Sequence, residues 1–446
     1  MPTAIFSIAR SGLTQARRSL ELTAQNVANA DNPNFSRRTL TQSELVLTGS
    51  IGTNAADSLG GVRPGVIERA ESALVQRQAR DSSSALSAAN AQFFALREAE
   101  SALETSGVFT GLVDFEAALT RLQNNPTEPA LRLSALEEGR KLAGNFRIAN
   151  GTLANARSLV QAEIGAKTLT VNELAGELAT INADLVGSRE GTAGRAALLD
   201  ARDKALRGLA EEFGISATIN PNGTADVALN GAPPVALVTG ATTQPLATTF
   251  AADGTVSFAV GGTAFVPSGG AIAGRAGALA ELADLQTSLD GLAVSAITLS
   301  NTAQANGVGL DGNPGPPLFA GTGAGDITLV LASADGLATA PAGASPGSRD
   351  TGNLAALIAA LGDASGPITG IDSLLLGLSS RVSALETRRD GLAVVSASAE
   401  AELLRETGVD LDTEAANLVR LQQAFEANSR VIQVAAELFD TILGLG

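Results

Sequence analysis

Residues 411–442 read LDTEAANLVRLQQAFEANSRVIQVAAELFDTI, and the period of that stretch decides the fold. Leu411, Leu418, Phe425, Ile432 and Phe439 recur at every seventh position. Glu414, Leu421, Asn428, Ala435 and Ile442 follow each of them by three. Two seam positions per seven residues place one narrow stripe on a helix, the pattern of a helix that packs lengthwise on another. Asn428 is polar inside that stripe, a choice that costs stability and sets register.

The other end of the chain carries the same period. Phe6, Leu13, Leu20 and Val27 are spaced by seven, with Ala9, Ala16, Thr23 and Ala30 as companions. The small companions suit a close approach between helices. This helix, expected over 3–30, stops where Asn26, Asn29, Asn32 and Asn34 crowd around Asp31 and Pro33. One Asn suffices for a helix C-cap, since Asn tolerates left-handed backbone; four imply a further task. Arg37, Arg38 and Arg420 stand either as partners for a neighbour's carboxylates or as solvated charges.

Between the ends the chain reads mostly as long helices: 71–106, 112–124, 127–185, 195–213, a heptad stretch around 282–303, and 368–406. The stretch from Thr127 to Leu185 holds a single Pro, Pro129 in the first turn, and spans roughly 85–90 Å if continuous. Residues 35–70 read as irregular or weakly extended, broken at Gly49, Gly52, Gly60, Gly61 and Pro64. Alternation replaces the heptads after Gly214, as in Ile215-Ser216-Ala217-Thr218-Ile219, with Asn220-Pro221-Asn222-Gly223 as a turn. The expected fold is therefore mainly α and elongated. Terminal antiparallel coiled-coil helices occupy 1–50 and 409–446. A long-helix rod domain covers 51–213 and 273–408, with a Gly/Pro-rich loop at 306–350. A small β-rich insertion, separable from the rest, covers 214–272. The order helix, rod, β, rod, helix sends the chain out and back, so its two ends lie side by side. Seams this narrow bury too little surface in one isolated pair, so other molecules must complete the burial.

Composition removes most chemistry. The 446 residues include 30 basic and 46 acidic ones, a formal net charge of −16, and no Cys, His, Trp or Tyr. That excludes disulfides, thiolate nucleophiles, imidazole bases and His- or Cys-ligated metals. An acidic chain with 14 Phe as its only aromatics does not suit nucleic-acid binding. No apolar run approaches the ~20 residues of a membrane span, and the first 18 residues lack a cleavable leader pattern. Gly307-Val308-Gly309-Leu310-Asp311-Gly312 matches GxGxxG, but a helix precedes it and prolines follow, so it reads as a loop. Asp311 and Asn313 lack the remaining ligands of a calcium loop. Carboxylate pairs such as Glu137–Glu138 and Glu400–Glu402 sit at helical spacings that do not converge. No catalytic, cofactor-binding or metal-binding residue emerges, and no enzyme activity is expected.

Two stretches resemble the axial proteins of the bacterial flagellum, the family of rod, hook and junction proteins. The first is Ser11-Gly12-Leu13…Leu20…Asn26-Val27-Ala28-Asn29-Ala30…Phe35-Ser36-Arg37, and the second is Glu414 to Ile432. Arg37, the long-helix core, and the stretches Leu198–Asp203 and Gly307–Gly315 are similar to the junction members in particular. Asn34-Phe35 departs from the family's usual Gly-Tyr. The resemblance implies a structural subunit that joins hook to filament, outside the cell, after uncleaved type III export. It implies copies of itself, hook protein, a second junction protein (hook-associated protein 3) and an export chaperone on the C-terminal helix as partners. The expected assembly interface is Phe6, Leu13, Leu20, Asn26, Val27, Asn29, Phe35 and Arg37 with Leu411, Leu418, Leu421, Phe425, Asn428, Ile432, Phe439 and Ile442. Alternatives are flagellin or another axial subunit, or a secreted surface-binding protein acting through 214–272.

Overall fold

The computed structural model describes residues 2–44, 60–251 and 254–444, so the breaks expected at Gly49 and Gly52 lie outside the described residues. Nine α-helices are present among them: α1 (Pro2–Ala28), α2 (Ala73–Ser106), α3 (Val108–Asn124), α4 (Pro129–Gly187), α5 (Ala193–Glu212), α6 (Gly270–Asn306), α7 (Gly352–Leu361), α8 (Pro367–Thr407) and α9 (Leu411–Gly444). Strands β1 (Arg38–Glu44), β2 (Val62–Arg69), β3 (Ile215–Ile219) and β4 (Ala225–Leu229) are joined by others of two to five residues, the last at Ala340–Pro341. The mainly α expectation holds. Helix α4 is 59 residues long and begins at Pro129, a residue whose fixed φ suits a first helical turn. At 1.5 Å per residue it extends for about 88 Å.

Two segments go beyond the sequence-based reading. Residues 38–44 and 62–69, read as irregular or weakly extended, form an antiparallel pair, with Arg38 opposite Arg69 and Leu40 opposite Ile67. Its β-branched residues Thr39, Thr41, Val66 and Ile67 fit a pleated surface, but no clean alternation announces them. Helix α7 falls where the sequence reading assigns no element; ten residues between Gly-rich loops carry too short a period, and Leu354, Leu357 and Leu361 become buried.

The chain forms two compact units. The first comprises residues 1–85, 170–246 and 393–446. In it α1 and α9 run antiparallel: Asn26 meets Glu414, and Gly12, fourteen residues earlier, faces Asn428, fourteen residues later. A Cβ at Gly12 would stand 2.6 Å from Asn428 Oδ1, so a side chain there would have to displace the Asn428 amide. The same unit holds β1 and β2, α5, and a four-stranded sheet in the order β3, β4, 235–239, 242–243. Asn182, 1% exposed, clamps that sheet by donating to Ala225 O (2.8 Å) and Gly240 O (2.7 Å) and accepting from Ala225 N (2.9 Å).

The second unit comprises residues 86–169 and 247–392. Its core contains Phe93, Leu96, Leu112, Phe115, Leu119, Phe146, Leu153 and Leu289, all 1% exposed or less. Phe115 meets Phe319 edge to face at 5.9 Å. Arg132 is fully buried and ties the 334–339 loop to α4, donating to Pro126 O, Ala334 O, Leu337 O and Thr339 Oγ1. The strands 256–260 and 263–267 pair antiparallel here, Phe258 opposite Phe265.

One of the boundaries between the units falls after residue 246, inside the segment that the sequence reading takes as one insertion over 214–272. Asn182 and Asn172 on α4 hold strands up to Leu246, and Gln161, earlier on α4, donates to Gly254 O at 3.2 Å. Alternating patterns report that strands exist, not which helix residues take their edges.

Candidate assembly interface

In the pair α1–α9 the large seam residues stay partly open, while the buried positions mix small and larger side chains. Ala9, Ala16, Leu22 and Thr23 of α1 are buried, and so are Glu414 and Ala435 of α9. Of the expected seam, Leu13, Leu20, Leu418, Leu421, Phe425, Asn428 and Ile432 are half-buried. Phe6 (43%), Val27 (37%), Leu411 (51%) and Phe439 (47%) are exposed. Ile442 is in α9, but its side chain lies outside the described residues. The companion positions Ala9, Ala16, Thr23, Glu414 and Ala435 are therefore the most covered of the seam within the chain. The larger residues flank them.

Val431, Val434 and Leu438 add an exposed apolar stripe at i, i+3 and i+7 on α9. Ile5, Phe6 and Ile8 are exposed at the start of α1. Large apolar side chains that recur along one helix face and remain open are the mark of an association surface.

The Asn-rich turn has a different use. Asn26 is 1% exposed. Its amide donates to Arg38 O (2.9 Å) and Glu414 Oε1 (3.2 Å), and its carbonyl accepts from Arg38 N (3.1 Å). It therefore does not offer itself to a neighbour; it ties α1 to β1 and α9 inside one chain. Asn29 is half-buried and donates to Gln25 O at 2.8 Å, closing the last turn of α1. The Phe35 ring lies 4.7 Å under the Arg38 guanidinium. Arg37 N donates to Thr407 O at 2.8 Å, so the chain leaving α1 is bonded to the chain entering α9.

Arg38 opens a buried charge cluster that sequence reasoning did not assemble. Arg38 Nη2 meets Asp200 Oδ2 at 2.6 Å. Arg69 meets Asp200 Oδ1 and Asp203 Oδ2, both at 2.6 Å. Arg202 takes Asp203 Oδ1 at 2.7 Å. Burial opposes the charge on Arg69, but Asp203 and Asp200 outweigh it and hold the guanidinium above its ordinary pKa. The available signal was Asp200-x-x-Asp203, two acids at i, i+3 on one helix face. Two of its partners, Arg38 and Arg69, lie more than 130 residues earlier in the chain.

Comparison with known proteins places this arrangement. Residues 402–445, which contain α9, match the family described as flagellar basal body rod FlgEFG protein C-terminal. The class is thus that of the flagellar axial proteins. Residues 96–319, half of the chain, match the flagellar hook-associated protein FlgK helical domain. Flagellar hook-associated protein 1 of Bacillus subtilis is 24% identical over 495 residues, covering 98% of this chain and 97% of its own. That of Escherichia coli is 25% identical over 251 residues, covering 55% of this chain and 45% of its own. The structure of the flagellar hook junction protein FlgK from Burkholderia pseudomallei superposes with a TM-score of 0.50 at 24% identity, over 55% of this chain and 46% of that one. The chain belongs to the FlgK family of flagellar hook-associated proteins. It is accordingly a structural protein of the flagellar hook–filament junction.

Proposed function

We propose that the α1–α9 pair is the part of this subunit that enters the axial structure, and that neighbouring copies complete its burial. The observation that carries the reading is the row of open apolar side chains on the pair, from Ile5 to Ile8 and from Val431 to Phe439. Exposed Leu, Val and Phe at helical spacing are each worth about 1.5–3 kcal/mol when fully covered, and copies stacked side by side cover them together. In this reading ordering of the ends and assembly are one event. Hook protein lies on one side of the ring of copies and hook-associated protein 3 on the other. The subunit travels there unfolded through the type III apparatus, uncleaved, with a chaperone shielding α9. No step requires a catalytic group, and the family's structural role supplies none.

Val434→Asp with Leu438→Asp tests the reading in a strain lacking its own copy of the protein. Both residues face solvent in the single chain, so the monomer should keep its helical circular dichroism. The expected outcome is secreted, folded protein in the medium, bare hooks and lost motility. Normal filaments on the variant would sink the proposal.

A further inference from the structure

A cavity of about 100 Å³ lies in the first compact unit, where α2, α5, α8 and the 33–36 turn converge. Arg80 is 91% buried at its wall and has no hydrogen bond or ion pair among the described residues. The two buried acids beside it are already engaged. Asp200 holds Arg38 and Arg69, and Asp203 holds Arg69, Arg202 and Gln76. Four buried guanidiniums, those of Arg38, Arg69, Arg80 and Arg202, thus face two buried carboxylates, Asp200 and Asp203. Glu71 approaches Arg69 at 3.5 Å from an exposed position and leaves the deficit at Arg80 untouched. Burial pushes the Arg80 guanidinium below its ordinary pKa, against the pull of Asp203 and Asp81.

An isolated buried charge is costly unless it is paired. The cavity supplies the rest of an oxyanion site. Arg207 also lines it, spending one nitrogen on Asn34 Oδ1 and Pro33 O. Ser36 and Ser83 add hydroxyls that have no partner among the described residues. The volume admits a few waters or one small ion and excludes a peptide side. Glu211 and Glu400 also line it from exposed positions, where solvent screens their repulsion of an anion.

We infer that this cavity binds one small free oxyanion of the sulfate or phosphate type, held by Arg80 and Arg207 and capped by Ser83 and Ser36. Because Ser36 precedes Arg37, whose N–H is bonded to Thr407 O, the ion would brace the root of both terminal helices. Guanidinium pairs with such ions through short charge-assisted bonds.

Calorimetric titration of the full chain with sodium sulfate, in chloride buffer at constant ionic strength, tests the site. Wild type should bind one sulfate saturably. Arg80→Met should weaken binding by about tenfold or more, and Arg80→Lys, which keeps the charge but not the fork, by a smaller factor. If Arg80→Met fails to fold by circular dichroism, Arg207→Gln replaces it, with weakened sulfate binding again expected. Absence of saturable binding to wild type would overturn the inference, as would variants that bind like wild type. Should Glu400 itself swing in to pair Arg80, sulfate would bind Glu400→Gln but not wild type, and that result also overturns it.

Discussion

Asn26 illustrates how a residue type can be noticed in a sequence and its use misjudged. Four asparagines near one helix end signal more than a cap, yet only the folded chain brings Arg38 and Glu414 to this amide. Asn26→Ala orphans the Arg38 N–H and carbonyl in a buried site, at about 1–3 kcal/mol for each unsatisfied group. Urea unfolding should show that loss with an unchanged m-value, and hydrogen exchange should rise at Arg38. Asp226 gives a residue-scale pH dependence. The Gly240 backbone N–H, then Asn220, hold its carboxyl below the ordinary carboxylate range. A depressed folded pKa means stability that is present above the unfolded value of ~3.9 and lost as pH falls through the folded one. Exchange protection of the β3–β4 sheet should therefore decline below about pH 4 in wild type, and Asp226→Asn should flatten that dependence.

At the scale of elements, helix period was legible and helix partnership was not. The long helices follow from local spacing, and α4 begins at the Pro that marks its first turn. What the spacing did not reveal is which glycines sit at helix crossings. Gly274 on α6 is one: a Cβ there would stand 2.1 Å from Ala88 O of α2, a backbone atom that cannot rotate away. Alanine is the better helix former by roughly 1 kcal/mol, so propensity alone predicts that Gly274→Ala stabilises. Overpacking at a backbone contact costs typically about 1–3 kcal/mol or more. The net expectation is a lowered melting temperature, with Gly291→Ala, where a Cβ meets nothing within 4 Å, as the control that does not fall.

For the whole molecule, the separable insertion expected over 214–272 becomes a sharper question. Replacing 215–272 by a Gly/Ser linker removes the strands that satisfy Asn182 and Asn172. It also uncovers neighbours of the sheet on α5, where Leu206 and Leu209 are now fully buried. Buried amides without partners cost about 1–3 kcal/mol each. The expected outcome is a chain that keeps most of its helical signal but melts earlier, with the loss felt in both compact units, since 215–246 belong to the first and 247–272 to the second. Calorimetry with exchange mapping measures it. An unchanged melting profile would restore the view of a dispensable domain.

The sequence by itself determined the helical class, the two terminal heptad helices and their out-and-back pairing. It also carried the absence of His and Cys chemistry and the axial-protein signatures at both ends. All of these depend on spacing within a few turns or on counts, which are local quantities. Tertiary structure alone decided that the companion positions Ala9, Ala16, Thr23, Glu414 and Ala435 are buried on α1 and α9 while the large seam positions stay partly open. It alone joined Arg38 and Arg69 to Asp200 and Asp203 across more than 130 residues of chain, and left Arg80 without an ion pair beside them. A charge finds its partner through chain closure, and no period in a sequence records which distant turn closure will bring to it.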